Sequence, residues 1–222
     1  MSNNLSIDQI ADLVIGSISG LIKHNNMIPI GISARHVHVS KEDLERLFGK
    51  GYELTHYKNL SQPGQFAAQE KLDIIGPKGK ISSVRILGPI RSESQVEVAY
   101  SDLRTLGVST EVRSSGDIRN TPGITLKGPQ GEITLLKGLI IAERHIHMTP
   151  LDAKLYGVSN GEKVSLIVEG VKAGVLDNIT IRVSENYALD CHLDTDDANA
   201  FIIRQGQKLK MIKNKQYEGE GR

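Results

Sequence analysis

The sequence predicts a mainly β protein made of two similar β-barrel domains from an internal duplication, with short helices and an N-terminal amphipathic helix. Three observations carry this expectation. Ten short runs rich in Ile, Val and Leu recur at close intervals, punctuated by Gly, Pro, Asn and Asp, with little helical periodicity between them. An eight-residue stretch repeats: Ser33-Ala34-Arg35-His36-Val37-His38-Val39-Ser40 matches Ala142-Glu143-Arg144-His145-Ile146-His147-Met148-Thr149. A weaker match follows downstream, where Glu97–Asp102 can be laid on His192–Asp197, and Ile86 then falls on Ile181. The shared order is strand, Arg-His-x-His, short helix, hairpin and strand, as a duplication would leave it.

Taken in order, residues 5–23 come first. Ile7, Ile10, Val14, Ile18 and Leu21 recur at helical spacing, and Ser6 with Gln9 three residues on forms a capping-box pattern. Lys23-His24-Asn25-Asn26 reads as a polar linker. Such a helix either packs on its own domain or docks onto another protein. The expected organisation is therefore 1–26 as helix and linker, 27–120 as the first barrel half and 121–216 as the second. The strand runs are Ile28–Ser33, Leu72–Gly76, Ile81–Leu87, Gln95–Tyr100, Ile124–Lys127, Ile133–Leu136, Leu139–Ala142, Lys163–Val168, Thr180–Val183 and Leu189–Leu193. Gly76-Pro77-Lys78-Gly79 and Gly128-Pro129-Gln130-Gly131 read as hairpin turns. Helices are expected at Lys41–Phe48, Ser101–Leu106, Pro150–Leu155 and Thr195–Ile202, the first and third with an acid near the helix start (Glu42-Asp43 and Asp152).

Composition removes several function classes. With 222 residues, 39% apolar and 24% charged, the chain has an ordinary globular make-up, and no apolar run approaches the length of a membrane span. No secretory signal opens it, because Asp8, Asp12 and Lys23 break the apolar stretches. Lys and Arg number 27 against 26 Asp and Glu, which argues against a nucleic-acid surface. Trp is absent, so stacking platforms for bases are not expected. The single Cys191 rules out an intramolecular disulfide and Cys-x-x-Cys chemistry, and fits a reducing compartment.

The anomaly is histidine: four of the seven sit in two His-x-His pairs. On an extended segment such a pair puts both imidazoles on one face. One pair alone is compatible with a hydrogen-bonded core feature. Two pairs at equivalent repeat positions, each preceded by Arg, point to metal, because convergent neutral imidazoles suit zinc. The repeat offers a third ligand in each half: Glu97 for His36 and His38, and His192 for His145 and His147. His24 and His56 fit no such pattern. Arg91 follows a Gly-Pro turn six residues before Glu97, and Arg is the side chain suited to bidentate contact with phosphate or carboxylate. Lys78 and Arg85 add positive charge along the preceding hairpin. Cys191 adjoins His192 on a strand and so faces the other way, into packing. No G-x-S-x-G elbow and no glycine-rich phosphate loop is present.

Together, Arg35–His38, Ser61-Gln62-Pro63-Gly64-Gln65-Phe66-Ala67-Ala68, Gly76–Gly79, Leu87–Arg91 with Ser94–Glu97, Arg144–Met148 and His192–Asn199 resemble the PduL-type phosphate propanoyltransferases. The resemblance spans about residues 27–204. It implies two β-barrel domains and two zinc ions, one held by His36, His38 and Glu97 and the other by His145, His147 and His192; another divalent metal would suit the same donors. It further implies that Arg91 binds phosphate and that coenzyme A, as a substrate, meets Ile32, Ser33, Ala34, Lys78, Arg85 and Asn199. Ser115 sits near the site by the same analogy. Many similar proteins carry an N-terminal helix that directs them into a bacterial microcompartment, and residues 5–23 resemble such an encapsulation peptide addressed to shell or core proteins; similar proteins lacking the helix work in the free cytoplasm.

The implied reaction is propanoyl-CoA (or acetyl-CoA) plus phosphate in exchange with acyl phosphate plus CoA, in catabolism of the 1,2-propanediol or ethanolamine type. Direct transfer without an acyl-enzyme is expected, since no side-chain nucleophile fits. A dizinc hydrolase of a thioester or phosphoester is the alternative, as the same metals could activate water. A non-catalytic shell component is a third class, for which six ligands in two sets are excessive. The expected partners are small molecules and microcompartment proteins, with neither nucleic acid nor membrane, and self-association is left open.

Overall fold

A computed structural model describes residues 6–213; Met1–Leu5 and residues 214–222, which include the ends of the expected spans 1–26 and 121–216, lie outside the described residues. The chain begins with α1 (Ile7–Asn25), β1 (Met27–Ser33), β2 (His36–His38), α2 (Lys41–Phe48), β3 (His56–Asn59), β4 (Phe66–Ile75) and β5 (Lys80–Gly88). It continues through β6 (Gln95–Glu97), α3 (Tyr100–Leu106), β7 (Val112–Arg113), β8 (Thr125–Lys127), β9 (Glu132–Thr134) and β10 (Leu139–Ala142). The remainder is β11 (His145–Met148), α4 (Pro150–Tyr156), β12 (Lys163–Val168), β13 (Gly174–Val183), β14 (Asp190–Asp194), α5 (Thr195–Phe201) and β15 (Lys208–Lys213).

The mainly β class holds. Six strands close into a barrel in the order β1-β14-β11-β13-β12-β15. Nine strands form a second sheet in the order β7-β10-β6-β2-β5-β4-β8-β9, with β3 added on β4. Ile28, Ile30, Ile146, Leu166, Ile181 and Met211 are among the buried residues of the barrel strands. Val37, Ile74, Ile86, Val96, Leu126 and Leu139 belong to the core of the larger sheet. Each such side chain contributes about 1.5–3 kcal/mol by leaving water.

The chain forms two compact units that interleave along the sequence. One takes the chain up to Gly31, Arg144–His192 and the segment from Phe201 onward; the other takes Ile32–Glu143 and Leu193–Ala200. This differs from the single division into 27–120 and 121–216. Strand pairing sets the units: β1 pairs with β15, near the other end of the chain, and β8 pairs with β4. The lysine-alternating strand β15, absent from the sequence expectation, supplies the barrel wall between β1 and β12.

The repeat is legible in the register. In one unit β2 runs antiparallel to β6, with His36 opposite Glu97 and His38 opposite Gln95, and parallel to β5, with Val37 opposite Ile86. In the other, β11 runs antiparallel to β14, with His145 opposite His192 and His147 opposite Asp190, and parallel to β13, with Ile146 opposite Ile181. These two three-stranded frames correspond position by position, which is compatible with duplication. A capped helix follows each central strand. Ser40 Oγ accepts from the Asp43 N–H at 3.1 Å to start α2, and Thr149 Oγ1 accepts from the Asp152 N–H at 3.1 Å to start α4.

The two Gly-Pro-x-Gly segments are hairpin turns as expected, β4–β5 and β8–β9, and both lie in the unit of the nine-stranded sheet. Each tucks under the end of a short helix. The Lys78 N–H donates to the Leu106 carbonyl of α3 at 3.0 Å, and the Gln130 N–H donates to the Leu47 carbonyl of α2 at 3.0 Å. A Cβ on Gly76 would collide with the Leu106 carbonyl, and one on Gly128 would lie 2.5 Å from that of Leu47. Glycine is therefore required by close approach, and the turns satisfy carbonyls that a helix end leaves unpaired.

Candidate metal centres and anion site

The first centre lies on β2 and β6. Alternation along β2 turns His36 and His38 to one face, and pairing with β6 sets Glu97 directly across from His36. All three are buried, and their ligand atoms lie within 4.8 Å of one another. His36 Nε2 is 3.5 Å from Glu97 Oε2, and His38 Nε2 is 4.0 Å from Oε1. The Nδ1 atoms face backbone carbonyls, that of His36 at 2.9 Å from Ala34 and that of His38 at 3.2 Å from Leu87. Carbonyls only accept, so Nδ1 carries a proton and Nε2 is the atom turned toward Glu97. That is how a metal-binding imidazole is oriented.

Charge follows the geometry. Burial pushes the Glu97 carboxyl up, but His36, His38 and the Ser115 hydroxyl outweigh it and hold it well below the usual range. Burial lowers His36, but the Glu97 charge and hydrogen bond oppose it and win, for a net upward shift. Burial, with the charges of His36 and Arg91, pushes His38 down to about 3. His38 is thus neutral at physiological pH, and a neutral imidazole is a ligand.

Half-buried Arg91 belongs to the same neighbourhood, since its charge lowers both imidazoles. The Arg91 N–H donates to Val39 O at 2.9 Å, and Ser40 forms a bridge with Arg91, so the loop before β6 is laid along the end of β2. Beneath it, buried Ser94 donates to Asp43 of α2 at 2.6 Å. Arg91 Nη1 reaches Ser115 Oγ at 3.4 Å, and that hydroxyl donates to Glu97 Oε1 at 2.6 Å. Gln95 completes the arrangement: its amide donates to Glu97 Oε1 at 2.6 Å and to Ser115 Oγ at 3.0 Å, and its Oε1 accepts the Gly116 N–H at 2.8 Å.

The second centre is built the same way on β11 and β14. The ligand atoms of His145, His147 and His192 also lie within 4.8 Å of one another. His145 Nε2 and His147 Nε2 approach to 3.0 Å, aimed at a shared point. Burial, His145, His192 and Arg182 lower His147 to about 2, so it too is neutral. Tyr187 packs its ring against His147 with centroids 4.2 Å apart. Both donor sets fit zinc, with two imidazoles and a carboxylate in one and three imidazoles in the other.

The six expected ligands thus fall into the two expected groups. The residues assigned to coenzyme A are more dispersed: Ile32, Ser33 and Ala34 follow one another at the end of β1, exposed Lys78 is in the β4–β5 turn, and exposed Asn199 is on α5. Arg85 sits on β5 opposite His36, with its guanidinium 4.7 Å from the centre of the Tyr57 ring and Nη1 donating to Ala68 O. Cys191 is fully buried opposite Ile146, as its neighbour's orientation requires. His56 is exposed and pairs with Asn59 at 2.7 Å; the His24 side chain lies outside the described residues.

Two participants have no place in the sequence expectation, Gln95 and Asp190. Each precedes a cross-strand ligand by two residues, and period two in a strand would have put both on the ligand face. Ser115 has no such signal, because a loop brings it in.

Comparison with known proteins bears on the family. A sequence model of the family described as phosphate propanoyltransferase matches residues 29–204. The chain is 51% identical over 193 residues to a phosphate propanoyltransferase of Thermotoga maritima, covering 86% of this chain and 92% of that one. It is 50% identical over 204 residues to one from Priestia megaterium, covering 92% and 94%, and 49% identical over 174 residues to one from Salmonella typhimurium, covering 78% and 82%. The family-model match over residues 29–204 and relatives about 50% identical over most of their length establish that this chain belongs to the phosphate propanoyltransferase family.

Proposed function

We propose that the protein transfers an acyl group between coenzyme A and inorganic phosphate, with propanoyl-CoA or acetyl-CoA as the thioester. The observation that carries this reading is the junction of Arg91 and Glu97 at Ser115, which sets an anion-binding guanidinium beside a candidate metal centre. Zinc is the proposed metal at both centres, and when bound it supplies Lewis-acid polarisation of the acyl carbonyl. His36, His38 and Glu97 hold one ion; His145, His147 and His192 hold the other.

The remaining work falls to the chain's own groups. Arg91 receives phosphate through paired N–H donors and holds it against the thioester, removing translational freedom from the attack. A phosphate oxygen bonds to the acyl carbon, the carbon–sulfur bond breaks, and the proton given up by phosphate ends on the thiolate of CoA. Ser94, anchored on Asp43, fixes the loop that presents Arg91. Ile32, Ser33, Ala34, Lys78, Arg85 and Asn199 take coenzyme A, with Lys78 free to meet its phosphates. Transfer is direct, because the single cysteine is buried in the barrel core.

The same reading places the enzyme in a bacterial microcompartment, with residues 5–23 docking on shell or core proteins. Supporting this, Ile7, Ile10, Leu13, Val14 and Ile18 of α1 are all at least 41% exposed, an apolar stripe left uncovered. No described helix is long and apolar enough to cross a membrane.

The deciding experiment follows CoA release from propanoyl-CoA at varied phosphate. Saturable dependence on phosphate, with acyl phosphate formed in equal amount, is expected. Thioester loss without phosphate would favour the dizinc hydrolase instead.

A further inference from the structure

We infer that Asp43 of α2 is a positioning residue for the anion site, acting through Ser94 to set the backbone that carries Arg91. The inference rests on the proposed role of Arg91 and extends it to a carboxylate outside both donor sets.

The two repeats cap their helices with the same geometry. Ser40 before α2 and Thr149 before α4 share φ −74° and ψ 163°. Each hydroxyl accepts the backbone N–H three residues on at 3.1 Å. Each also donates back to that residue's carboxylate, at 3.0 Å to Asp43 and at 2.7 Å to Asp152. In α4 the exchange is completed directly: the Thr149 N–H donates to Asp152 Oδ2 at 3.0 Å and closes a capping box. In α2 it is not. The Ser40 N–H donates to Ser94 Oγ at 2.9 Å, and Ser94 Oγ donates to Asp43 Oδ2 at 2.6 Å. A side chain of the loop before β6 is thus inserted into the box.

The helix does not need this insertion. A direct bond, as at Thr149, satisfies the same backbone donor without outside help. What the inserted hydroxyl adds is a second fixed point for the loop of Arg91. The first is the Arg91 N–H, which donates to Val39 O at 2.9 Å. Arg91 and Ser94 are therefore both held at the end of β2, while Ser92 and Glu93 between them are exposed.

The carboxylate makes the second anchor strong. A hydrogen bond to an ionised acceptor is roughly twice as strong as a neutral one. Ser94 is buried, with 6% of its surface exposed, so water does not compete for its hydroxyl. Bidentate contact with phosphate requires the guanidinium to be placed before the anion arrives, and on a short loop that placement comes from the backbone.

Initial rates of the full chain supplied with zinc, at varied phosphate and at varied propanoyl-CoA, test this. Asp43→Ala and Ser94→Ala are each expected to raise the KM for phosphate by about 10-fold, the effect of one charge-assisted hydrogen bond. The KM for propanoyl-CoA should not change. The double variant should be no worse than either single one, because the two residues act as one anchor. Ser94→Thr, which keeps the hydroxyl, should recover part of the loss. Asp152→Ala is the control: it removes the matching carboxylate from α4 and should lower the denaturant midpoint without moving either KM. Ser94→Ala leaves the Ser40–Asp43 bonds in place, so it decides the matter where Asp43→Ala fails to fold. An unchanged KM for phosphate in folded Ser94→Ala overturns the inference, and so does an equal rise in both KM values. A wild-type chain whose turnover ignores phosphate overturns the proposed role of Arg91 with it.

Discussion

At the scale of residues, one hydroxyl joins two functions. Ser115 Oγ touches the carboxylate proposed as a ligand and the guanidinium proposed for phosphate. Arg91→Lys keeps the charge but loses the planar fork, so the KM for phosphate should rise by about 10-fold or more while the KM for acyl-CoA changes little; initial rates at varied phosphate check this. Proton linkage gives a second test. In the metal-free protein, the raised His36 pKa contributes stability that is full below its ordinary 6.5 and fades as pH rises through the shifted value. The depressed Glu97 pKa contributes stability present above its ordinary 4.5 and lost as pH falls through the shifted value. The pair thus stabilises most between those two ordinary values. A metal ion must displace the His36 proton, so zinc uptake should release a proton at about pH 6, release less at about pH 9, and tighten as pH rises. Calorimetry in buffers of different ionisation enthalpy measures this; equal release at both would contradict it. The two groups of candidate ligands were legible as groups because a duplicated His-x-His marks four of the residues and the weaker downstream repeat adds Glu97 and His192. Gln95 and Asp190 were not singled out, since their places come from cross-strand register, and Ser115 entered only through the family resemblance, because a loop brings it in.

At the scale of elements, the helices were readable because their caps are local. Ser6 and Gln9, Ser40 and Asp43, and Thr149 and Asp152 make the bonds their spacing predicts. The hairpin turns were readable as turns but not as helix supports, because Leu47 and Leu106 are remote in sequence from the glycines they meet. Gly76→Ala and Gly128→Ala should each cost about 2 kcal/mol by forcing backbone away from backbone, read as a lower denaturant midpoint. Gly16→Ala is the contrast: its Cβ meets nothing within 4 Å, so it should leave the midpoint of the body unchanged and raise the helicity of α1. Strand β15 escaped detection because lysine alternation leaves few apolar residues to see: only Leu209 and Met211 are buried.

At the scale of the whole molecule, mainly β architecture and family were legible, whereas the interleaving of the two units was not. Long-range pairing of β1 with β15 leaves no trace in local composition. Helix α1 packs along α4, with the exposed Lys154–Asp12 pair as one contact between them, and neither helix carries a residue of the candidate centres. Removing residues 1–25 should therefore leave kcat unchanged while abolishing co-assembly with microcompartment proteins, seen by fluorescence of tagged chains. The central claim is acyl transfer to phosphate at metal-dependent centres. Its most direct measurement is the phosphate-dependent conversion of propanoyl-CoA by the zinc-loaded protein, with acyl phosphate and free CoA both quantified. One acyl phosphate per CoA released, lost on chelation and restored by zinc, is the predicted result; CoA release that ignores phosphate, or turnover that survives full removal of metal, would contradict it.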